Sequence, residues 1–416
     1  MSQPSAERLA LLYRIAQVFS SSLDMAEVLN RVMDEVVAAV HAERGFLMLY
    51  DAPQRLTFRS ARGLDQQTIE APEFQVSRSV VERVGRDGVP LLTSNAQSDA
   101  WLGGRASIIG LGLRSILCVP LQIKHTTLGV IYVDNHLQAG IFSRDDLDLL
   151  VSIAASAAIA IENARLYQVA VEKGRLEREL QVAREVQRSL LPQQTPSLPG
   201  FEIGAWWLPA REVSGDYYDY LKTDSERLAV VIADVSDKGM PAALLMALTR
   251  STVRACLSGA GSLAERIANV NRLLAADAAN GMFVTLFCAE MDSNGAVTYV
   301  NAGHNPPILV TAEGLVELRR TGAALGLFED AAYTQRQVSL APGDFIVFYT
   351  DGATDAMNAE GAEFGKERLS TFIHDQRRAA APALAATLAA ALQEFTGDAP
   401  AADDITLVIV RRTPAS

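Results

Sequence analysis

Asp234 ends the apolar run LAVVIA and opens VSDKG, Asp351 follows FIVFYT and precedes Gly352, and Asp403 and Asp404 stand immediately before ITLVIV. Asp216 lies in the loop-like segment VSGDYYDY. Taken singly, each of these aspartates reads as a turn former or a helix cap. Gathered at the ends of buried strands, they would repel one another unless a cation offset their charge. Oxygen donors without histidine or thiolate partners select magnesium or manganese over zinc or copper. Two such ions, bridged by a carboxylate and a water, lower the pKa of that water and neutralise a phosphoryl oxygen. The chemistry implied is hydrolysis of a phosphate ester.

The elements that must position these residues fall into two groups. A chain of 416 residues is long enough for two domains and a connector, at roughly 100–200 residues per domain. After the prolines of residues 191–199, short apolar runs read as strands: Leu228–Val235, Phe283–Met291, Ala296–Val300, Ile308–Val310, Gln335–Leu340, Phe345–Tyr349 and Ile405–Val410. Ser293–Gly295 and Ala312–Gly314 read as hairpin turns. Helical periodicity marks Pro241–Leu257 and Pro382–Phe395, so the C-terminal part is expected to be an αββα sandwich. The N-terminal part is expected to be α+β. Two amphipathic helices run between Ala6 and Val40, with Asp24 capping the second. Strands follow at Gly45–Tyr50, Ser115–Ile123 and Thr127–Val133, then a closing helix from Ser143. That helix is predicted to continue through Leu190, with Leu166, Val169, Leu176, Leu180, Ala183 and Leu190 on a seven-residue repeat interrupted by Lys173 and Gln187. The repeat predicts a parallel two-helix connector and a homodimer; the alternative is a helix that packs on its own domain.

A net charge of -12 argues against nucleic acid or anionic membrane as a partner, since an acidic surface is repelled by both. Cys118, Cys256 and Cys288 are dispersed, with no CxxC pairing, and read as core residues rather than a disulfide framework or a zinc site. The longest apolar run, Leu149–Ile161, is short and interrupted by Ser152 and Ser156. No leader or membrane span is expected, which predicts a cytoplasmic protein.

Two resemblances sharpen this reading. The segment from Gly112 to Tyr167 closely resembles the end of a GAF domain, the small-molecule-binding sensor module, and the likeness covers residues 8–167. Such pockets accept many ligands or none. Further on, PAREVSGDYYDY, ADVSDKGMPAALLM, NAGHNPP, GAALGL, YTDGATDAMN and DDITLVIV occur in the order seen in the stage II sporulation protein E-like branch of the PPM metal-dependent serine/threonine phosphatases. The expected organisation is thus a GAF domain (8–167), a helical connector (168–191) and a PPM-type phosphatase domain (192–413). The resemblance implies that Asp234 bridges two Mn2+ or Mg2+ ions, with the Val235 carbonyl completing one site, and that Asp351 and Asp403 hold the second ion. Asp216 supports the first ion and Asp404 sits behind the ligands. It further implies attack by a metal-bridging water on phosphoserine or phosphothreonine of a partner, a STAS-type anti-anti-sigma protein.

Asp237 and Ser214 depart from the resemblance, standing where many relatives have glycine. His304 invites a general-acid role, but its turn-forming neighbours favour a structural corner. Three rival readings compete, of which a DNA-binding regulator shows neither a helix-turn-helix nor a basic face. An aspartyl-phosphate hydrolase needs a second aspartate two residues from Asp351, as DxD, and Tyr349 occupies that position. A catalytically weak module that only docks a partner would be expected to lose its costly clustered carboxylates first, and all of them are present. Control is expected through the connector, acting on the segment after Pro241.

Overall fold

The computed structural model describes residues 3–19, 21–52, 55–63, 67–69, 76–97, 113–223, 227–277 and 281–413. They form two compact units, Met1–Arg175 and Leu176–Ser416, each with its own core.

In the first unit, helices α1 (Gln3–Phe19) and α2 (Met25–Ala39) precede β1 (Arg44–Ala52) and β2 (Arg55–Gly63). Asp24 caps α2 as predicted, accepting the Glu27 amide at 2.9 Å. Helix α3 (Arg78–Asp87), β3 (Leu91–Thr93), β4 (Ser115–Ile123) and β5 (Thr126–Asn135) follow. The five strands form one antiparallel sheet in the order β2-β1-β5-β4-β3. One face packs on α1, α2 and the start of the long helix α4 (Arg144–Leu190), through Val32, Val36, Leu150, Ile153, Ala157 and Ile161. The other packs on α3 through Phe46, Val80, Val84 and Tyr132. Beside α3 an open cavity of about 940 Å³ is lined by Met48, Phe58, Val81, Arg55, Arg78 and Arg86.

By length and composition alone, α4 contains a stretch apolar enough to cross a membrane, and half of that stretch is buried in the protein. Leu150, Ile153, Ala157 and Ile161 form its buried face.

In the second unit, β6 (Phe201–Leu208), β7 (Tyr217–Lys222) and β8 (Arg227–Val235) lead into α5 (Met240–Leu257) and α6 (Leu263–Asp277). Then come β9 (Val284–Asp292), β10 (Ala296–Ala302), β11 (Ile308–Thr311), β12 (Gly314–Glu317), β13 (Arg336–Ser339) and β14 (Phe345–Tyr349). Helices α7 (Gly365–Asp375) and α8 (Ala381–Thr396) and strand β15 (Ile405–Arg412) close the chain. Two antiparallel sheets result, β13-β10-β9-β8-β7 and β12-β11-β14-β15-β6.

Successive residues of a strand face opposite sides, and the central strands are apolar on both. In β8, Val230 and Ile232 join the core between the sheets, with Phe287, Phe348 and Val408. Ala229, Val231 and Ala233 instead pack on α5 and α6. In β14 and β15, Val347, Tyr349, Leu407 and Ile409 face α7 and α8. Burial on both faces explains why these strands read as continuous apolar runs, and the αββα sandwich is as expected. The sequence pattern missed β2, β3, β6, β7, α3, α6 and α7, and marked β12 only through its hairpin turn.

Cys118 and Cys288 are buried within sheets, and burial raises both thiols; Cys256 is partly exposed, its thiol also raised by burial. Thiolate is the reactive form. Iodoacetamide should therefore label native protein at Cys256 only, and slowly, with Cys118 and Cys288 labelled after unfolding. Mass spectrometry reads the outcome, and rapid native labelling of either buried cysteine would contradict the core assignment.

Candidate metal centre

The alternation along each strand decides what meets at the strand ends. Continuing the register of Val230 and Ile232 puts Asp234 on the inter-sheet side; the same parity places Asp216 before Tyr217, Thr350 after Phe348, and Thr406 and Asp404 before Val408. Two sheets thus deliver polar side chains to one edge of the sandwich.

Asp216 is 1% exposed. Its carboxylate accepts hydrogen bonds from Thr350 Oγ1 at 2.8 Å and Thr406 Oγ1 at 2.5 Å, joining β7 to the opposite sheet. Burial drives its pKa well above the usual carboxylate range, and Asp234 and Asp404 push it further. Asp234 is pushed up to about 8, first by burial and then by Asp351, Asp403 and Asp404. Asp351 is also raised, by burial and by Asp403 and Asp355. Asp351, Asp403, Asp404 and Asp216 therefore all act electrostatically on Asp234 or on one another. Among the described residues, no group of three or more acidic, histidine or cysteine side chains closes into a coordination shell. Convergence is thus electrostatic, at the scale of a shared site. The donor set is all oxygen, its members are costly to ionise together, and a divalent cation fits it.

Asp404 has a different occupation. Its Oδ1 accepts the Ala210 amide at 2.7 Å and its Oδ2 the Gly215 amide at 2.8 Å. With both oxygens engaged by backbone, it holds the loop that carries Asp216, consistent with a place behind the ligands. Gly215 in turn packs against the carbonyl of Val235, which a Cβ there would approach to 3.1 Å. Gly352 is required beside Asp351, because a Cβ would come within 2.0 Å of the Asp404 carbonyl.

His304 is buried, its Nδ1 2.8 Å from Thr285 Oγ1 and its amide donating to Asn301 Oδ1 at 2.9 Å. Burial lowers its pKa to about 3. A ring neutral at physiological pH has no proton to give as a general acid, which leaves the structural corner. That corner sets Asn305 and Pro306 in the wall of an open cleft of about 440 Å³ shared with Tyr349, Asp351, Asp355 and Lys366.

Three polar residues escape a motif-based reading. Thr350 and Thr406 look like ordinary strand residues. Gln187, expected as a polar flaw in the connector seam, is 4% exposed. Its Nε2 donates to the Ser214 carbonyl at 2.6 Å and its Oε1 accepts the Ser214 amide at 2.9 Å. The Ser214 hydroxyl then accepts the Asp216 amide at 3.0 Å, so this departure from glycine contributes a bond. Asp237, the other departure, adopts φ +73°. An aspartate there costs roughly 1 kcal/mol against glycine.

The comparisons follow this division. Residues 224–413 match the family described as Stage II sporulation protein E, and residues 22–162 match the GAF domain family. Asp216 precedes the first match, and its place rests on the contacts above. Protein IcfG of Synechocystis sp. is 36% identical over 221 residues, 46% of this chain and 35% of that protein. Phosphoserine phosphatase RsbU of Bacillus subtilis is 29% identical over 270 residues, 64% of this chain and 79% of the relative. The chain therefore spans about a third of one relative and four-fifths of the other. The SiaA-PP2C domain of Pseudomonas aeruginosa superposes with a TM-score of 0.53 at 26% identity, covering 58% of this chain and 99% of that domain.

Asp234 also links stability to pH. Its pKa is raised from 3.8 to about 8 in the folded protein, so between those values the folded state binds more protons than the unfolded one. Its contribution to stability therefore falls as pH rises through that window. With chelator present, the second unit's melting temperature should fall from pH 5 to pH 8.5, and Asp234→Asn should flatten the slope. An equal slope in both proteins would refute the assignment. Two stretches with separate cores thus carry the two family matches, residues 22–162 to the GAF domain family and residues 224–413 to the Stage II sporulation protein E family.

Proposed function

We propose that this protein is a metal-dependent phosphatase that hydrolyses phosphoserine or phosphothreonine on a partner protein, under the control of its GAF domain. The observation that carries this reading is the electrostatic coupling among Asp216, Asp234, Asp351 and Asp403, of which Asp351 lines an open cleft. Asp234 and the Val235 carbonyl would hold one divalent ion, with Asp216 in support; Asp234, Asp351 and Asp403 would hold a second. Mn2+ or Mg2+ so bound would supply Lewis-acid neutralisation of phosphoryl oxygens and a water acidic enough to be a nucleophile at neutral pH. The chain's own part is placement. Thr350 and Thr406 fix Asp216, Asp404 fixes the loop before it, and the His304 corner shapes the cleft that admits a phosphorylated side chain.

The name of RsbU supports phosphoserine as substrate, and the resemblance to partner-switching phosphatases supports a STAS-type protein acting in trans. The boundaries 8–167, 168–191 and 192–413 remain our division of the chain, and the cytoplasm is the compartment we infer. In the presence of Mn2+, purified protein should release phosphate from a phosphorylated STAS protein. Asp234→Asn should lose roughly a hundredfold or more of turnover, while melting higher without metal because one repelling carboxylate is gone. Full activity of this variant, or of wild type after exhaustive chelation, would leave only the docking-module reading.

We also propose that α4 couples sensor and site. The second half of its seven-residue repeat is already used: Leu180 and Ala183 are partly covered, Gln187 is buried, and Leu191 joins the core beneath α5 and α6. Leu166, Val169 and Leu176 remain about half exposed, a stripe suited to a second copy of the helix. An ion pair between buried Asp219 and half-exposed Arg254 joins α5 to β7. Arg254 makes hydrogen bonds of 2.7 and 2.8 Å to Asp219 on β7, the strand that begins after Asp216. Val169→Asp with Leu176→Asp should halve the mass in solution, and Gln187→Leu should weaken Mn2+ binding roughly tenfold. Unchanged metal affinity in Gln187→Leu would remove the coupling.

A further inference from the structure

Asp234 and Asp403 lie on different strands, and one side chain spans the gap between their loops. Lys238 sits in the turn from β8 into α5, flanked by Asp237 at φ +73° and Gly239 at φ +80°. Its Nζ lies 2.8 Å from Asp403 Oδ2 and donates to the Ala402 carbonyl at 2.7 Å. The same ammonium counters the upward shifts of Asp234 and Asp351. One tethered positive charge therefore acts on three of the four carboxylates assigned to the centre.

We propose that Lys238 is a built-in counter-cation that holds the acidic centre together before divalent metal arrives and competes with that metal for Asp403. The inference rests on the metal-binding reading above and deepens it. A carboxylate oxygen engaged at 2.8 Å by an ammonium must be released before it can ligate an ion, and a positive charge left nearby repels the newcomer. The lysine thus moderates affinity. It also spares the metal-free protein part of the repulsion among its carboxylates, and by bonding Ala402 it fastens the segment leading into β15. Because Lys238 is tethered to the turn after Asp234, displacing it frees a cation beside the mouth of the site without losing it to solvent.

The test uses the full chain and Mn2+ alone as probe. Lys238→Met keeps the stem and removes the charge, while Lys238→Arg keeps the charge. Calorimetric titration of metal-free protein should show Lys238→Met binding Mn2+ roughly three- to tenfold more tightly than wild type. Its melting temperature in chelator should fall by roughly 1–4 °C. Lys238→Arg should stay near wild type on both measures, and the melting difference should vanish at saturating Mn2+. Weaker binding by Lys238→Met, or equal binding with equal metal-free stability, would overturn the proposal. A raised KM with unchanged metal affinity would also overturn it, assigning the ammonium to the substrate phosphate. Failure of wild type itself to bind Mn2+ would instead refute the metal centre.

Discussion

Mutual repulsion among buried carboxylates is the constraint around which the phosphatase unit is arranged. Asp216 is driven toward its protonated form by burial and by Asp234 and Asp404, and Asp234 by burial and by Asp351, Asp403 and Asp404. A fold that relaxed freely would turn such groups toward water. Here they are retained because rigid strands from two sheets present them at one edge, and because neutral donors engage them: two threonine hydroxyls on Asp216 and two backbone amides on Asp404. Strain of this kind is useful only where a cation relieves it, which links stability, metal occupancy and turnover in one equilibrium.

Support for the acidic edge comes from layers that do no chemistry themselves. The inter-sheet core fixes the separation of β8 and β15, and the cores beneath α5–α6 and α7–α8 fix their outer faces. Gly352, next to Asp351, lets the chain pass directly against the Asp404 carbonyl. His304, buried and neutral, holds the corner that walls the cleft. Motifs that look catalytic in a one-dimensional reading are partly architectural.

Legibility in the sequence varied with the range of the interactions. Asp234, Asp351 and Asp403 could be picked out because each abuts a long apolar run, and a buried strand that ends in a carboxylate is an uncommon local pattern. The αββα layering was readable for the same reason. Strand β7, YYDYLK, and helix α6 carry mixed polarity and short periods, so local pattern does not distinguish them from loops. Gln187 was the larger surprise. Nothing near it in the chain marks it as anything but a polar interruption, because its partner is the backbone of Ser214, 27 positions away. The regularity of a heptad also hid a change of partner: the same stripe is open at Leu166 and Leu176 and buried at Gln187.

The continuity of α4 carries a consequence of angular phase. Each residue in an α-helix advances the chain by about 100°, and the Gln187 amide meets Ser214 in only one azimuth. Inserting one residue between Leu176 and Leu180 would turn the preceding helical residues by that angle about the axis of α4 relative to Gln187. Seven inserted residues would return them to within about 20°. A single-residue insertion or deletion there should therefore move the exposed stripe at Leu166 and Val169 off the helix face that carries Gln187, whereas a seven-residue one keeps it there.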